Sequence, residues 1–168
     1  MLKGISPNLS AELIYVLMLM GHGDTIVVCD VNHPAATIAR ATGHGRLLDL
    51  TGCDIPQALV AILSLMPIDD FVSAPVSRMQ VVGDPDKQLP LFASVQKIVE
   101  DAEQRPVAMA ALERFEFYEA AKGAFAIVRT SDPGPYGCFI LRKGVVNVDQ
   151  PERHGPARRQ GANANRRA

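Results

Sequence analysis

The chain has 168 residues, 17 Lys and Arg against 18 Asp and Glu, and 48% hydrophobic residues. That length fits one domain, the apolar share excludes wholesale disorder, and a net charge of -1 makes no whole-chain case for nucleic acid. The charge is uneven, because residues 151–168 carry five Arg and one Glu and leave the rest of the chain acidic.

The first helix is predicted from Ser10, which can cap the free N–H groups of a first turn, with Glu12 at the positive end of the dipole. Its apolar run, LIYVLMLM at 13–20, is too short to cross a bilayer. Glu12 directly precedes it and no small-residue cleavage site follows, so a buried helix is expected in place of a signal peptide. Gly21 is the expected left-handed stop. TIVVC (25–29) reads as a buried strand ending at Asp30. Residues 33–45 read as loop or broken helix, and RLLDL (46–50) as a short strand.

Asp54 can cap a helix to about Met66, with Ile55, Leu59, Ile62 and Leu63 on one face. SRMQVV (77–82) predicts a strand and GDPDK (83–87) a turn. A helix follows over 90–103, then a strand at VAMAAL (107–112), a short helix at Arg114–Gly123 and a strand at AFAIVRT (124–130). SDPGP (131–135) is a turn, and YGCFILRKG (136–144) is expected to return as the second strand of a hairpin. The alternation predicts an α/β layered single domain, a mixed β-sheet flanked by helices and closed by that C-terminal hairpin. The domain is expected to span residues 1–148. Residues 149–168, rich in Gly, Pro, Asn and Arg, are expected to form a basic disordered tail.

The segment with most chemistry is GHGDTIVVCD (21–30), which sets His22 before a strand and Asp30 after it. GHG follows a helix and opens a strand, the reverse of a dinucleotide fingerprint, and GxxxxGK[ST] is absent. His22 can serve as a general acid or base with Asp30 on a hydroxyl; alternatively it is a satisfied core or capping histidine beside a turn aspartate. A straight strand holds the two apart. They share a site only if loops fold back or a second subunit supplies part of the pocket.

His22, His33 and His44 recur every eleven residues, but without HExxH or HxH spacing, and no metal is expected. In ERFEFYE (113–119), Arg114 can hold a hydroxyl or carboxylate through its planar fork, or pair with Glu113 or Glu116. Tyr118 is a core or sugar-stacking ring, and Tyr136 a pocket hydroxyl or a hairpin aromatic. Cys138 is a small buried residue. Cys29, Cys53 and Cys138 are an odd set without a CxxC pair, which fits a reducing, cytoplasmic setting.

Four segments together resemble one family, the L-fucose mutarotases and D-ribose pyranases. They are LKGISPNLSAELIYVLMLMGHGD (2–24), CDVNHPA (29–35), ERFEFYEAAKGAFAIVRT (113–130) and PYGCFILRKGV (135–145). The resemblance implies a mutarotase that interconverts the α and β anomers of a pyranose, L-fucose first. His22 would be the proton donor, with Asp30 and Arg114 binding the sugar. The family's Tyr-small-Asn segment falls on Tyr136, Gly137 and Cys138, so a thiol stands where the family has an amide. The resemblance implies no cofactor, a monosaccharide substrate, no nucleic-acid or membrane partner, and a homo-oligomeric, often decameric, ring with sites near subunit contacts. A D-ribose pyranase activity, or a non-catalytic sugar-binding or sensing protein that keeps the pocket, is the alternative. A metal-dependent hydrolase resting on the three histidines is a third.

Overall fold

The computed structural model describes residues 2–146, so the end of the expected domain and its basic tail lie outside the described residues. The elements are α1 (Ala11–Leu19), β1 (Thr25–Cys29), α2 (Ala35–Ala39), β2 (Leu47–Leu50), α3 (Ile55–Leu63), β3 (Val76–Met79), α4 (Pro90–Glu103), β4 (Met109–Leu112), α5 (Arg114–Lys122), β5 (Ala126–Thr130) and β6 (Cys138–Arg142).

Local chemistry sets the helix starts. The Ser10 hydroxyl accepts from the Leu13 N–H at 3.1 Å and opens α1. Asp54 and Gln57 form a reciprocal capping box on α3, followed by a proline in the first turn. Glu113 and Glu116 form another on α5. The end of α1 differs from expectation. Met20 turns extended, at φ -61° and ψ 133°, and stops the helix itself. The left-handed glycine is Gly23, at φ 87°, where the chain bends from His22 into β1.

The six strands form one mixed sheet in the order β2-β5-β1-β6-β3-β4. β1 runs parallel to β5 and antiparallel to β6. β2 joins β5 and β4 joins β3, both in parallel, while β6 also lies antiparallel to β3. The α/β class with a mixed sheet therefore holds, but the C-terminal hairpin does not. β5 and β6 are consecutive in sequence, yet β1 lies between them. The connection SDPGPYG crosses two strand spacings, about 10 Å, over the carboxyl end of β1. Two backbone bonds fasten it there, from Val31 N to Asp132 O at 3.1 Å and from Asp30 N to Gly137 O at 2.8 Å.

Side chains alternate across the sheet. Ile26 and Val28 of β1, with Phe139 and Leu141 of β6, pack under α1, α3 and α4. Val27 and Cys29, with Cys138 and Ile140, pack under α2 and α5. Ile26, Val27, Val28 and Cys29 are all fully buried. Each such aliphatic side chain contributes about 1.5–3 kcal/mol of transfer free energy. The rigid middle of the sheet is thus β1, and both ends of that strand carry the polar residues considered next.

Candidate functional site

At the carboxyl end of β1, Asp30 is only 2% exposed, and backbone hydrogen bonds account for its burial. Its Oδ1 accepts from Asn32 N at 2.8 Å and His33 N at 3.1 Å. Its Oδ2 accepts from Gly137 N at 2.9 Å and from the Cys138 thiol at 3.6 Å. A carboxylate can take these donors because it offers about four lone-pair positions. The loop after β1 and the loop before β6 are therefore tied to one side chain. A Cβ at Gly137 would lie a tight 3.2 Å from both Asp30 Cβ and Ile55 Cγ1, so these neighbours would have to shift to admit a larger residue.

Beside Asp30, the Cys138 sulfur lies 3.5 Å from His33 Nδ1. Burial, reinforced by Asp30, pushes the Cys138 thiol well above its ordinary pKa, so it stays protonated at neutral pH. Burial holds the His33 imidazole down to about 4 from its ordinary 6.5. The His33 ring meets Phe117 and Tyr118 edge-on, at 5.8 and 5.3 Å. Burial raises the Tyr118 hydroxyl, and Arg114, Cys138, Asp30 and Glu113 lie near enough to act on it.

Arg114 opens α5 with its guanidinium 4.8 Å over the Phe115 ring and its buried Nε without a hydrogen-bond partner. Glu113 and Glu116, the expected ion-pair partners, are instead committed to capping. Tyr136 has φ 61°, uncommon for a bulky residue, which costs on the order of 1–2 kcal/mol. The grip of Asp30 on the next residue holds it there, and its hydroxyl accepts from Val82 N at 3.1 Å. The structure thus gathers Asp30, Arg114, Tyr118, Tyr136, Gly137 and Cys138 around one end of β1.

His22 stands at the other end. Five strand residues intervene, about 17 Å of extended chain. Its side chain is 46% exposed, and Nε2 lies 3.2 Å from Oδ1 of Asp69, which is 2% exposed. The Phe71 ring meets the imidazole edge-on at 5.1 Å. Burial pushes the Asp69 carboxyl up, but the Phe71 N–H and His22 outweigh it and hold the group below its ordinary range. Asp69 is thus ionised at neutral pH. It fixes the imidazole so that Nε2–H donates to the carboxylate and Nδ1 faces outward.

Asp69 is held in turn by its backbone. Glu103 Oε1 accepts from Ile68 N at 2.8 Å, and Arg105 Nη2 donates to Ile68 O at 3.0 Å and Asp69 O at 3.1 Å. No sequence signal marks Asp69: PIDD simply ends an apolar stretch. His33 enters the sequence reading only in the histidine spacing. The three histidines have separate neighbours, Asp69, Cys138 and Glu12. Among the described residues, no group of three His, Cys, Asp or Glu could hold a metal ion. None of the described helices is long and apolar enough to cross a membrane.

Known proteins resemble this chain over most of its length. The human fucose mutarotase is 44% identical over 151 residues, covering 88% of this chain and 96% of that protein. A solved fucose mutarotase from Streptococcus pneumoniae, in complex with L-fucose, is 37% identical with a TM-score of 0.78, covering 87% of this chain and 100% of that one. Bacillus subtilis RbsD, solved with D-ribose, shares the fold at 23% identity and a TM-score of 0.64. The RbsD / FucU transport protein family model matches residues 3–146, and the chain belongs to that family.

Proposed function

We propose that this chain is a mutarotase that interconverts the α and β anomers of L-fucose, with His22 moving the proton and the Asp30 end of β1 holding the sugar. One observation carries the reading: a carboxylate-oriented histidine at one end of β1 and a cluster of hydroxyl-binding groups at the other. Anomer exchange opens and recloses a hemiacetal. One group protonates the ring oxygen while another takes the anomeric hydroxyl proton. An imidazole can give or take a proton and so performs either transfer, and a positioned acid or base supplies about 10²–10⁴-fold. Arg114, Tyr118 and Tyr136 would read the sugar's hydroxyl pattern.

The two half-sites lie at opposite ends of β1 on one chain, so the reading includes a homo-oligomeric ring in which His22 of one copy faces the Asp30 end of the next; the family resemblance makes that ring a decamer. Apolar surface beside the histidine supports this: Phe71 is 72% exposed and Val72 41%. So does the outer face of α1, where Met18 is 81% exposed and Tyr15 59%. Three free, buried thiols fit a cytoplasmic setting.

Saturation-transfer NMR between the two anomeric protons of L-fucose tests the activity. Wild type should accelerate exchange and His22→Ala should not; equal rates for both would refute the reading. Cys138 favours one competing reading, a sugar-binding protein without catalysis, because its weak thiol hydrogen bond to Asp30 leaves the pocket without an amide. Calorimetric binding of L-fucose without exchange would support it. Recovery of exchange in Cys138→Asn would instead mark a slowed enzyme.

A further inference from the structure

Beside Cys138 and Asp30, at the carboxyl end of β1, lies a buried polar atom with no partner, His33 Nε2. The hydrogen-bond order around it defines its state. Asp30 Oδ2 is a carboxylate oxygen and only accepts, so the Cys138 S–H points at it. The Cys138 sulfur then offers a lone pair, and His33 Nδ1, 3.5 Å away, supplies the N–H. That tautomer leaves Nε2 as a bare acceptor. His33 is 7% exposed, so the acceptor is out of contact with bulk solvent. A buried acceptor left unpaired carries a desolvation penalty, which a ligand donor would remove.

The surroundings fit a hydroxyl. Arg114 Nε, a donor near Tyr118, is also buried and unpartnered. A sugar hydroxyl both donates and accepts, and so complements this pair of atoms. A ring nitrogen in a purely structural role would be expected to find a partner among the fixed groups of the core. Of the two rings against His33, Phe117 is fully buried while Tyr118 is partly exposed. Tyr118 is therefore the ring that would have to turn aside to admit a ligand.

We propose that His33 is a substrate-binding residue of this site, its Nε2 accepting the proton of a sugar hydroxyl once Tyr118 turns away. The inference rests on the mutarotase reading, and it adds a specificity determinant to the pocket. The Cys138–His33 pair replaces an amide, which donates and accepts, by a wall whose free atom only accepts. It therefore selects a sugar with a donating hydroxyl at that point.

The test uses the full chain labelled with ¹⁵N-histidine and L-fucose as the probe. His33 is recognised as the ring that stays neutral at pH 5. Without sugar it should show the Nδ1–H tautomer; at saturating L-fucose its Nε2 resonance should move while Nδ1 stays. His33→Leu should raise KM about three- to tenfold at little change in kcat, the value of one hydrogen bond. One monodeoxy-L-fucose should erase the KM difference between wild type and variant. An unmoved Nε2 at sugar concentrations that saturate exchange overturns the proposal, and does so on wild-type protein if His33→Leu fails to fold. An unchanged KM in a folded His33→Leu also overturns it. Normal exchange with a silent Nε2 removes His33 alone. Absence of both exchange and binding removes the whole site reading.

Discussion

His22 and Asp30 stand at opposite ends of the same strand, β1, separated by the five residues Thr25–Cys29. Each has its own support. His22 is oriented by Asp69, and Asp30 is wrapped by the N–H groups of Asn32, His33 and Gly137. A central strand buried on both faces cannot bend to bring its ends together, because its ladder bonds and core contacts would be lost.

The first prediction concerns shared sites. His22→Ala and Arg114→Ala homo-oligomers should each be inactive. Dissociated, mixed and reassembled, they should recover roughly a quarter of wild-type exchange, as random pairing of neighbours in a ring gives. Saturation-transfer NMR on the mixture reads this directly. No recovery in an oligomer shown by native mass spectrometry to be mixed would place both half-sites on one chain.

Asp69 gives the second prediction. Asp69→Asn keeps the shape but removes the charge that holds the His22 imidazole. Exchange should fall at least tenfold, and less than the 10²–10⁴-fold expected for His22→Ala. The loss should lie in kcat, with KM little changed, because the Asp69 side chain is only 2% exposed and acts through His22. A variant that loses only KM would contradict its assignment to the proton-transfer half.

Third, Gly144→Ala should damage the same half through the backbone. A Cβ at Gly144 would lie 2.7 Å from Ile68 O and 2.9 Å from Asp69 Cα. Those atoms are fixed by Glu103 and Arg105 and cannot give way cheaply. Destabilisation of about 1–3 kcal/mol is expected by denaturant unfolding, with a fall in exchange beyond it. Gly123→Ala is the comparison, because its φ is likewise not positive and a Cβ there would meet only Ala120 O, at an ordinary 3.5 Å.

A fourth prediction is a pH signature in stability. His33 is held neutral in the native state down to about pH 4, whereas the unfolded chain protonates it near 6.5. Between those values the unfolded state binds the extra proton, so stability falls as pH drops from about 6.5 to 4. The contribution is on the order of 3 kcal/mol, fully present above pH 6.5 and lost by pH 4. Chemical unfolding of wild type and His33→Leu across this range checks it by difference. Equal pH slopes for the two proteins would mean that the imidazole is not sealed.

Much of this protein is legible in the chain itself. Ser10 and Asp54 announce α1 and α3, because capping is local chemistry between a side chain and N–H groups two or three residues on, whereas the sequence offers Glu113 as an ion-pair partner and the structure makes it the cap of α5. The α/β class follows from periodicity, and the motifs around His22, Asp30, Arg114 and Tyr136 follow from segments that resemble a known family. Tertiary structure decided the rest. Strand order is set by packing between distant segments, so β1 could take the place beside β6 that proximity in sequence assigns to β5. Asp69 reaches His22 across 47 positions, and Cys138 reaches His33 across 105, through contacts with no local pattern. By composition this is one near-neutral chain of 168 residues. Only the fold divides its chemistry between the two ends of one rigid strand, because burial and backbone hydrogen bonds fix where each polar group can stand.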